Sequence, residues 1–431
     1  MAEEKGLDEI IKYIRNNRGC VISTWQKDMA RGTPVYYFAN GTTIYIMSEG
    51  GGKLPNIRKN PNVTVGIYTS RPLFGIQLFG TAQILAQDSS NFVEEVQKSG
   101  FLRERQFPGE RPPFFLKVIK VEAHKIVYWH TKKGSASKII WDNTLPAGKE
   151  KTIYDKLLYL DAIAVKHFHP ENISRKPPLI FVHDAFQGSF AFKNFQEYFA
   201  RNGWNNYAIN LRGHYVSQFT RRDKLPAGKV TGNEGITDYV EDLDFLASQI
   251  EDDPIIIGHG MGALVALKYA ERKKTKGVVL LNSLPPKDVF ESLSLGKKLK
   301  KEMIGREFSS GNLFTFSVDR KKGEKLLFKN RLCGKDEMFE CCTQLCEESA
   351  KAFYESHLGE IEIDKGKINA LIFVIGAEKD QRTGAKINSQ IAKKYGASNC
   401  KLFPKIDHNF MLAKDWKKHA ETIEKFLNTI K

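Results

Sequence analysis

The hydrophobic pattern changes its period part-way along the chain. Leu7 to Asn17 places Ile10, Ile11 and Ile14 on one helical face. After it the period is two. Cys20–Thr24, Val35–Phe38, Thr43–Met47, Val63–Tyr68, Gly75–Leu85 and Phe114–Tyr128 are rich in β-branched and aromatic residues, and the pattern predicts strands. Asn40-Gly41 is a hairpin signal, and Gly50-Gly51-Gly52 breaks the run. Six closely spaced strands suggest a barrel more than an open sheet. From about residue 150 strands alternate with helices. Strands are expected at Ala162–His167, Leu179–Val182, Tyr207–Leu211, Pro254–Gly258, Gly277–Asn282, Ala370–Ile375 and Asn399–Phe403. Helices are expected at Phe192–Arg201, Ile236–Gln249, Gly262–Lys273, Ala385–Tyr395 and Asp415–Ile430. This alternation predicts a parallel sheet covered by helices. Leu284–Lys365 interrupts it as a long, Lys-rich, helical-looking insertion suited to a cap. Thr131–Lys151 is thin in apolar residues and reads as a linker.

The chain has 431 residues, long enough for two domains, expected at 1–140 and 150–431 with the cap at about 284–365. Hydrophobic residues make up 41% and charged residues 27%, which excludes wholesale disorder. No run of about 18 apolar residues occurs, so no membrane-spanning helix is expected. The first residues show no secretory signal, and six cysteines are too few for a disulfide scaffold, so a reduced, cytoplasmic setting is the expectation. The formal charge of +16 is divided between residues 1–142 (+7) and the remainder (+9). A charge so dispersed favours a solvated Lys-rich surface over nucleic-acid or membrane binding.

Between two strands of the first half lies Ser48-Glu-Gly-Gly-Gly-Lys53-Leu-Pro-Asn56-Ile-Arg58. Its glycines let backbone amides approach a ligand, and Ser48, Lys53 and Arg58 supply donors suited to a phosphate. Alone, the stretch fits a solvated hairpin better. With Pro34-Val-Tyr-Tyr-Phe, Thr43-Ile-Tyr-Ile-Met, Asn60-Pro61 and Ile76-Gln77-Leu-Phe-Gly80, it resembles the pyridoxamine 5′-phosphate oxidase-like split barrels over about residues 5–130. That resemblance implies a six-stranded split barrel binding FMN at a homodimer interface, with haem or deazaflavin in some relatives. It places Ser48 and Lys53 on the cofactor phosphate and Gln77 on the strand lining the flavin. Trp129 is a candidate for stacking on a ring, with a core role favoured. The further basic residues that hold a pyridoxamine phosphate are missing, so a flavin-binding module is favoured over that oxidation.

In the second half, Ile255-Ile-Ile-Gly258-His259-Gly260-Met261-Gly262 is a strand, a sharp turn and a helix. It resembles the G-x-S-x-G nucleophile elbow of the α/β-hydrolases, with Gly260 at the seryl position. Leu179-Ile-Phe-Val-His183-Asp184-Ala185 resembles the oxyanion strand and turn. The resemblance assigns the backbone N–H groups of Ala185 and Met261 to the oxyanion hole, while Asp184 replaces the usual glycine. Asn210-Leu-Arg212-Gly213-His214 resembles the turn after the next strand. Gly376-Ala-Glu-Lys-Asp380 and Asp407-His408 match the positions of the triad acid and histidine. The implied fold is an α/β-hydrolase with a helical cap.

Glycine cannot form an acyl-enzyme, and this leaves alternatives open. Asp380 and His408 would act as a general base on a small, apolar carbonyl compound or ester, around a vacant nucleophile position at Gly260. Alternatively, the domain is a silent pseudo-hydrolase that binds ligands beside a flavin-dependent oxidoreductase domain. Ser283 is the one substitute nucleophile, with a capping role favoured. His183, His214 and His259 sit at strand ends, where turn hydrogen bonds are the favoured role. No metal-ligand spacing includes them, so no metal is expected. Cys333, Cys341, Cys342 and Cys346 are expected as packing residues in the cap.

Overall fold

In a computed structural model the chain divides into two compact units, residues 1–156 with 170–172, and residues 157–169 with 173–431. The structure describes residues 6–430 except 27, 71–72, 87–88, 102–115, 133–134, 218–226, 295–308, 313–314, 319, 329–332 and 381. Part of the expected cap, and the start of the expected strand at 114, lie outside the described residues.

The first unit opens with the helix Gly6–Arg15, whose Ile10 and Ile14 are buried as the periodicity requires. Its strands are antiparallel. Gly19–Gln26 pairs with Met29–Tyr36 on one side and Asn62–Ser70 on the other. Leu73–Leu85 then pairs with Asn62–Ser70 and with Lys117–Lys132, through an irregularity at Phe79/Gly80. Thr43–Ser48 also lies against Lys117–Lys132, placing Ser48 opposite Lys117. Buried Ile22, Ile44, Ile46, Val65 and Leu78 share one apolar core. The stretch read as a linker contains a strand, Ser135–Asp142, paired with Lys117–Lys132. Its first residues are small and polar, so its apolar signal is confined to Ile139, Ile140 and Trp141.

The second unit is built on a parallel sheet in the order Asn399–Phe403, Leu371–Ala377, Gly277–Leu281, Ile255–His259, Leu179–Val182, Asn206–Ile209. Ile163–Pro170 runs antiparallel beside the last of these. The central strands are continuous apolar runs because helices cover both faces. Val182, Ile256, Val278 and Val374 point toward the helices Ile236–Ser248, Met261–Arg272 and Ala385–Tyr395. Their neighbours Phe181, Ile257, Val279 and Phe373 point toward Lys193–Arg201 and Trp416–Leu427. Alternation along each strand thus fills two cores from one sheet.

The cap departs from the expected all-helical insertion. It contains the helices Lys287–Ser292, Arg320–Leu327, Lys335–Thr343 and Ala350–His357. It also carries a small antiparallel sheet of Ser309–Asn312, Thr315–Ser317 and Glu348–Ser349. These strands are two to four residues long, too short to show a period. Buried Glu348 ties the cap down. Its carboxylate accepts from Tyr239 Oη at 2.7 Å and from Phe186 N at 3.3 Å, and pairs with His214 Nε2 at 3.0 Å.

Candidate active site and phosphate cradle

Parallel sheets place their loops, and hence their sites, at the carboxyl ends of the strands. Five segments converge there in the second unit. Strand Ile255–His259 ends in Gly260, whose backbone (φ 55°, ψ −113°) turns directly into helix Met261–Arg272. A side chain at 262 would collide with the carbonyls of Val182 and His183, so Gly262 is what lets helix and neighbouring strand meet. The loop after Leu371–Ala377 carries Asp380. His408 follows Asn399–Phe403, and its carbonyl is fixed by Asn282 Nδ2 at 2.8 Å and His259 Nε2 at 3.0 Å.

His408 Nδ1 lies 2.7 Å from Asp380 Oδ2, so the structure brings these two residues together as the sequence pattern suggested. Asp380 also accepts from Thr383 Oγ1 and, at 2.9 Å, from Arg382 N. The position at Gly260 is not vacant, which corrects the expectation. A Cβ placed there would overlap the carboxylate of Asp184. That carboxylate takes the place of a seryl hydroxyl. Its Oδ2 faces His408 Nε2 at 2.9 Å, and its Oδ1 accepts from Met261 N at 2.6 Å. One of the two expected oxyanion donors is therefore already engaged by Asp184, the neighbour in sequence of the other, Ala185. Arg382, which no motif flagged, closes the network. Its Nη1 donates to Asp184 Oδ2 at 2.9 Å and its Nη2 to His357 Nε2 at 2.9 Å.

Asp184, Asp380 and His408 are buried and Arg382 is half-buried, so these charges balance largely among themselves. Burial presses His408 toward neutrality, but the carboxylates of Asp380 and Asp184 outweigh it and lift its pKa to about 9. Burial would raise Asp184, yet Arg382 and His408 hold it well below the usual carboxylate range. Asp380, opposed in the same way by burial, is held at about 2 by His408 and Thr383. Two anions and two cations result. The two flanking carboxylates favour the protonated form of His408, the form that donates at Nε2 rather than accepts. His183, His259 and His357 are pushed by burial to about 3 and are neutral. His183 fits a turn-holding role, accepting from Leu211 N at 3.1 Å and bonding the Asp184 carbonyl at 2.8 Å. Ser283 donates to the carbonyl of Leu284 at 2.9 Å, as a turn residue does.

In the first unit, Lys53 Nζ and Ser48 Oγ both donate to the carbonyl of Gly50, at 2.9 and 3.0 Å. Arg31, missed in the sequence because it lies on the remote strand Met29–Tyr36, packs against Gly52. Burial and the Arg31 charge lower the pKa of Lys53. Among the described residues no carboxylate pairs with either cation. Asn56 Oδ1 is buried there without a partner among the described residues. Two adjacent, unneutralised cations on a glycine loop fit a phosphate. Arg58 is exposed on the last turn of helix Lys53–Lys59, and Gln77 is half-buried on Leu73–Leu85 opposite Gly66 and Val127.

Comparison with known proteins agrees with both resemblances. The family model described as serine aminopeptidase, S33 matches residues 174–415, and that described as pyridoxamine 5′-phosphate oxidase matches residues 7–130. No curated protein matches. Among solved structures, tomato methylketone synthase I complexed with 2-tridecanone is 17% identical with a TM-score of 0.49, covering 60% of this chain and all of its own. A carboxylesterase structure from the thaumarchaeon Nitrososphaera gargenis is 16% identical at 0.46, covering 64% and 98%. A thermophilic esterase from Thermogutta terrifontis is 14% identical at 0.44, covering 65% and 95%.

Proposed function

The chain belongs to the serine aminopeptidase S33 family, with an α/β-hydrolase fold behind an N-terminal pyridoxamine 5′-phosphate oxidase-like domain, and on that premise we propose that it is an enzyme acting on a small, apolar carbonyl compound or ester without an acyl-enzyme. The observation that carries this reading is the Asp184 carboxylate on His408 Nε2 and Met261 N, in the place of a seryl hydroxyl. His408 Nε2 and the Asp184 carboxylate face each other at 2.9 Å, so a proton donor and a proton acceptor already stand side by side. When substrate enters, its oxygen replaces Asp184 Oδ1 on Met261 N–H. His408 passes its Nε2 proton to that oxygen, and Asp184 takes a proton from the substrate carbon or from an attacking water. Phe186, next to the Asp184 turn, packs against Phe353 of the cap, which meets Phe316 edge-to-face, so the surroundings of the site are apolar.

The N-terminal domain, in this proposal, binds FMN, with the phosphate on Gly50–Gly52 held by Ser48, Lys53 and Arg31, and with Gln77 facing the ring. Bound FMN supplies electron and hydride transfer. Homodimerisation through this domain follows from the same resemblance.

A second reading, a silent binding domain, is favoured by the hold of Arg382 and Met261 on Asp184. Turnover of p-nitrophenyl esters and small ketones by the full chain separates the two. Activity that falls at least about a hundredfold in His408→Ala supports the enzyme. Binding of these compounds without any turnover supports the silent domain, and turnover indifferent to His408→Ala contradicts both.

A further inference from the structure

Asp184, His259 and His408 each offer one ligand atom, and these atoms lie within 4.8 Å of one another on buried side chains. His408 directs Nε2 at Asp184 and keeps Nδ1 on Asp380. His259 donates Nε2–H to the carbonyl of His408 at 3.0 Å, since a carbonyl only accepts. Its remaining lone pair is on Nδ1, which is fully buried and, among the described residues, has no partner. Histidines that bind metals place their second N–H on a carboxylate or a carbonyl, which fixes the tautomer and frees the other nitrogen. His408 has the carboxylate form of that support and His259 the carbonyl form.

We propose that Asp184, His259 and His408 bind one divalent transition-metal ion of the zinc class, with at least one coordination position open. Two imidazoles and one carboxylate are a donor set suited to such ions, and three protein ligands with an open position mark reactive rather than structural sites. Ligand atoms about 2.1 Å from a tetrahedral ion sit roughly 3.4 Å apart. The Asp184–His408 pair at 2.9 Å then opens slightly, and the widest separation closes by about 1.4 Å. Arg382 Nη1 and Met261 N–H already hold the two carboxylate oxygens of Asp184, and hydrogen bonds of this kind orient ligating carboxylates. The charges also fit. The ion takes the place of the proton between His408 and Asp184, and one bound hydroxide restores neutrality against Asp184, Asp380 and Arg382.

The inference rests on the proposed reading only in taking the centre as a non-seryl one. The test is metal binding to the full chain after chelator treatment, with Zn2+ followed by calorimetry and Co2+ by its visible absorption. One equivalent is expected to bind. His259→Phe and the isosteric Asp184→Asn should each weaken binding at least tenfold, and Asp380→Asn by about 10–100-fold. A Cys341→Ser/Cys342→Ser variant should bind as the parent does, which excludes the cap cysteines. Absence of saturable binding, or binding that survives both His259→Phe and Asp184→Asn, overturns the proposal. Because the readout is binding, His408-dependent ester turnover in chelator-treated protein that takes up no metal sinks this inference and leaves the proposed function standing.

Discussion

Two positions around the elbow depart from the family pattern together. Glycine stands where its family carries serine, and aspartate stands where its family carries glycine, so the carboxylate reaches into the hole from the opposite loop. The pairing has a consequence for reconstruction. Gly260→Ser alone is expected to give no acyl-transfer activity, because the new Cβ would overlap Asp184. Asp184→Gly combined with Gly260→Ser is expected to give a measurable burst with p-nitrophenyl acetate. A burst in the single variant would show that Asp184 yields easily. The ion network also sets a pH dependence. His408 is raised from its ordinary value of 6.5 to about 9, so its stabilising contribution is complete below about 6.5 and is lost as pH rises through 9. Asp380 is depressed to about 2, so its contribution is present above about 4 and is lost only in strong acid. The thermal midpoint of the second unit should therefore fall between pH 6.5 and 9, and a His408→Gln variant should lack that fall. The motif positions gave Asp380 and His408 directly. They could not give the role of Asp184, since only the fold shows that its carboxylate meets Gly260. Nor could they give Arg382, which lies two residues past the motif.

The strand–turn–helix around Gly260 depends on backbones that touch. Gly262→Val would drive a branched side chain into the carbonyls of Val182 and His183. Overpacking of this kind costs about 1–3 kcal/mol or more, so the urea midpoint of the second unit should drop while that of the first stays fixed. An unchanged midpoint would mean that helix and strand can separate freely. The central strands were legible because burial on both faces leaves an unbroken apolar run, as in Ile255-Ile256-Ile257. The helices were legible from their 3.6 period. Ser135–Asp142 and the short cap strands were not, because their signal lies in pairing with distant strands rather than in their own composition.

The two units are read from different kinds of signal. The hydrolase half announces itself through motifs at strand ends, whereas the first half is visible only through the order and spacing of strands around a glycine loop. Arg31 illustrates the limit, since sheet pairing brings it beside Lys53 from 22 positions away. FMN added to the purified chain should bind and show altered flavin absorbance. Lys53→Ala and Arg31→Ala should each weaken it by about tenfold, the effect of losing one charge-assisted contact of roughly 1.5 kcal/mol. Retention of full affinity in the double variant would place the phosphate elsewhere. Chemistry through Asp184 and His408 without an acyl-enzyme is tested by following ester turnover and intact mass together. Turnover with no added acyl mass, abolished in Asp184→Asn, is the predicted result. An acylated chain, or a rate unchanged by Asp184→Asn, would contradict it.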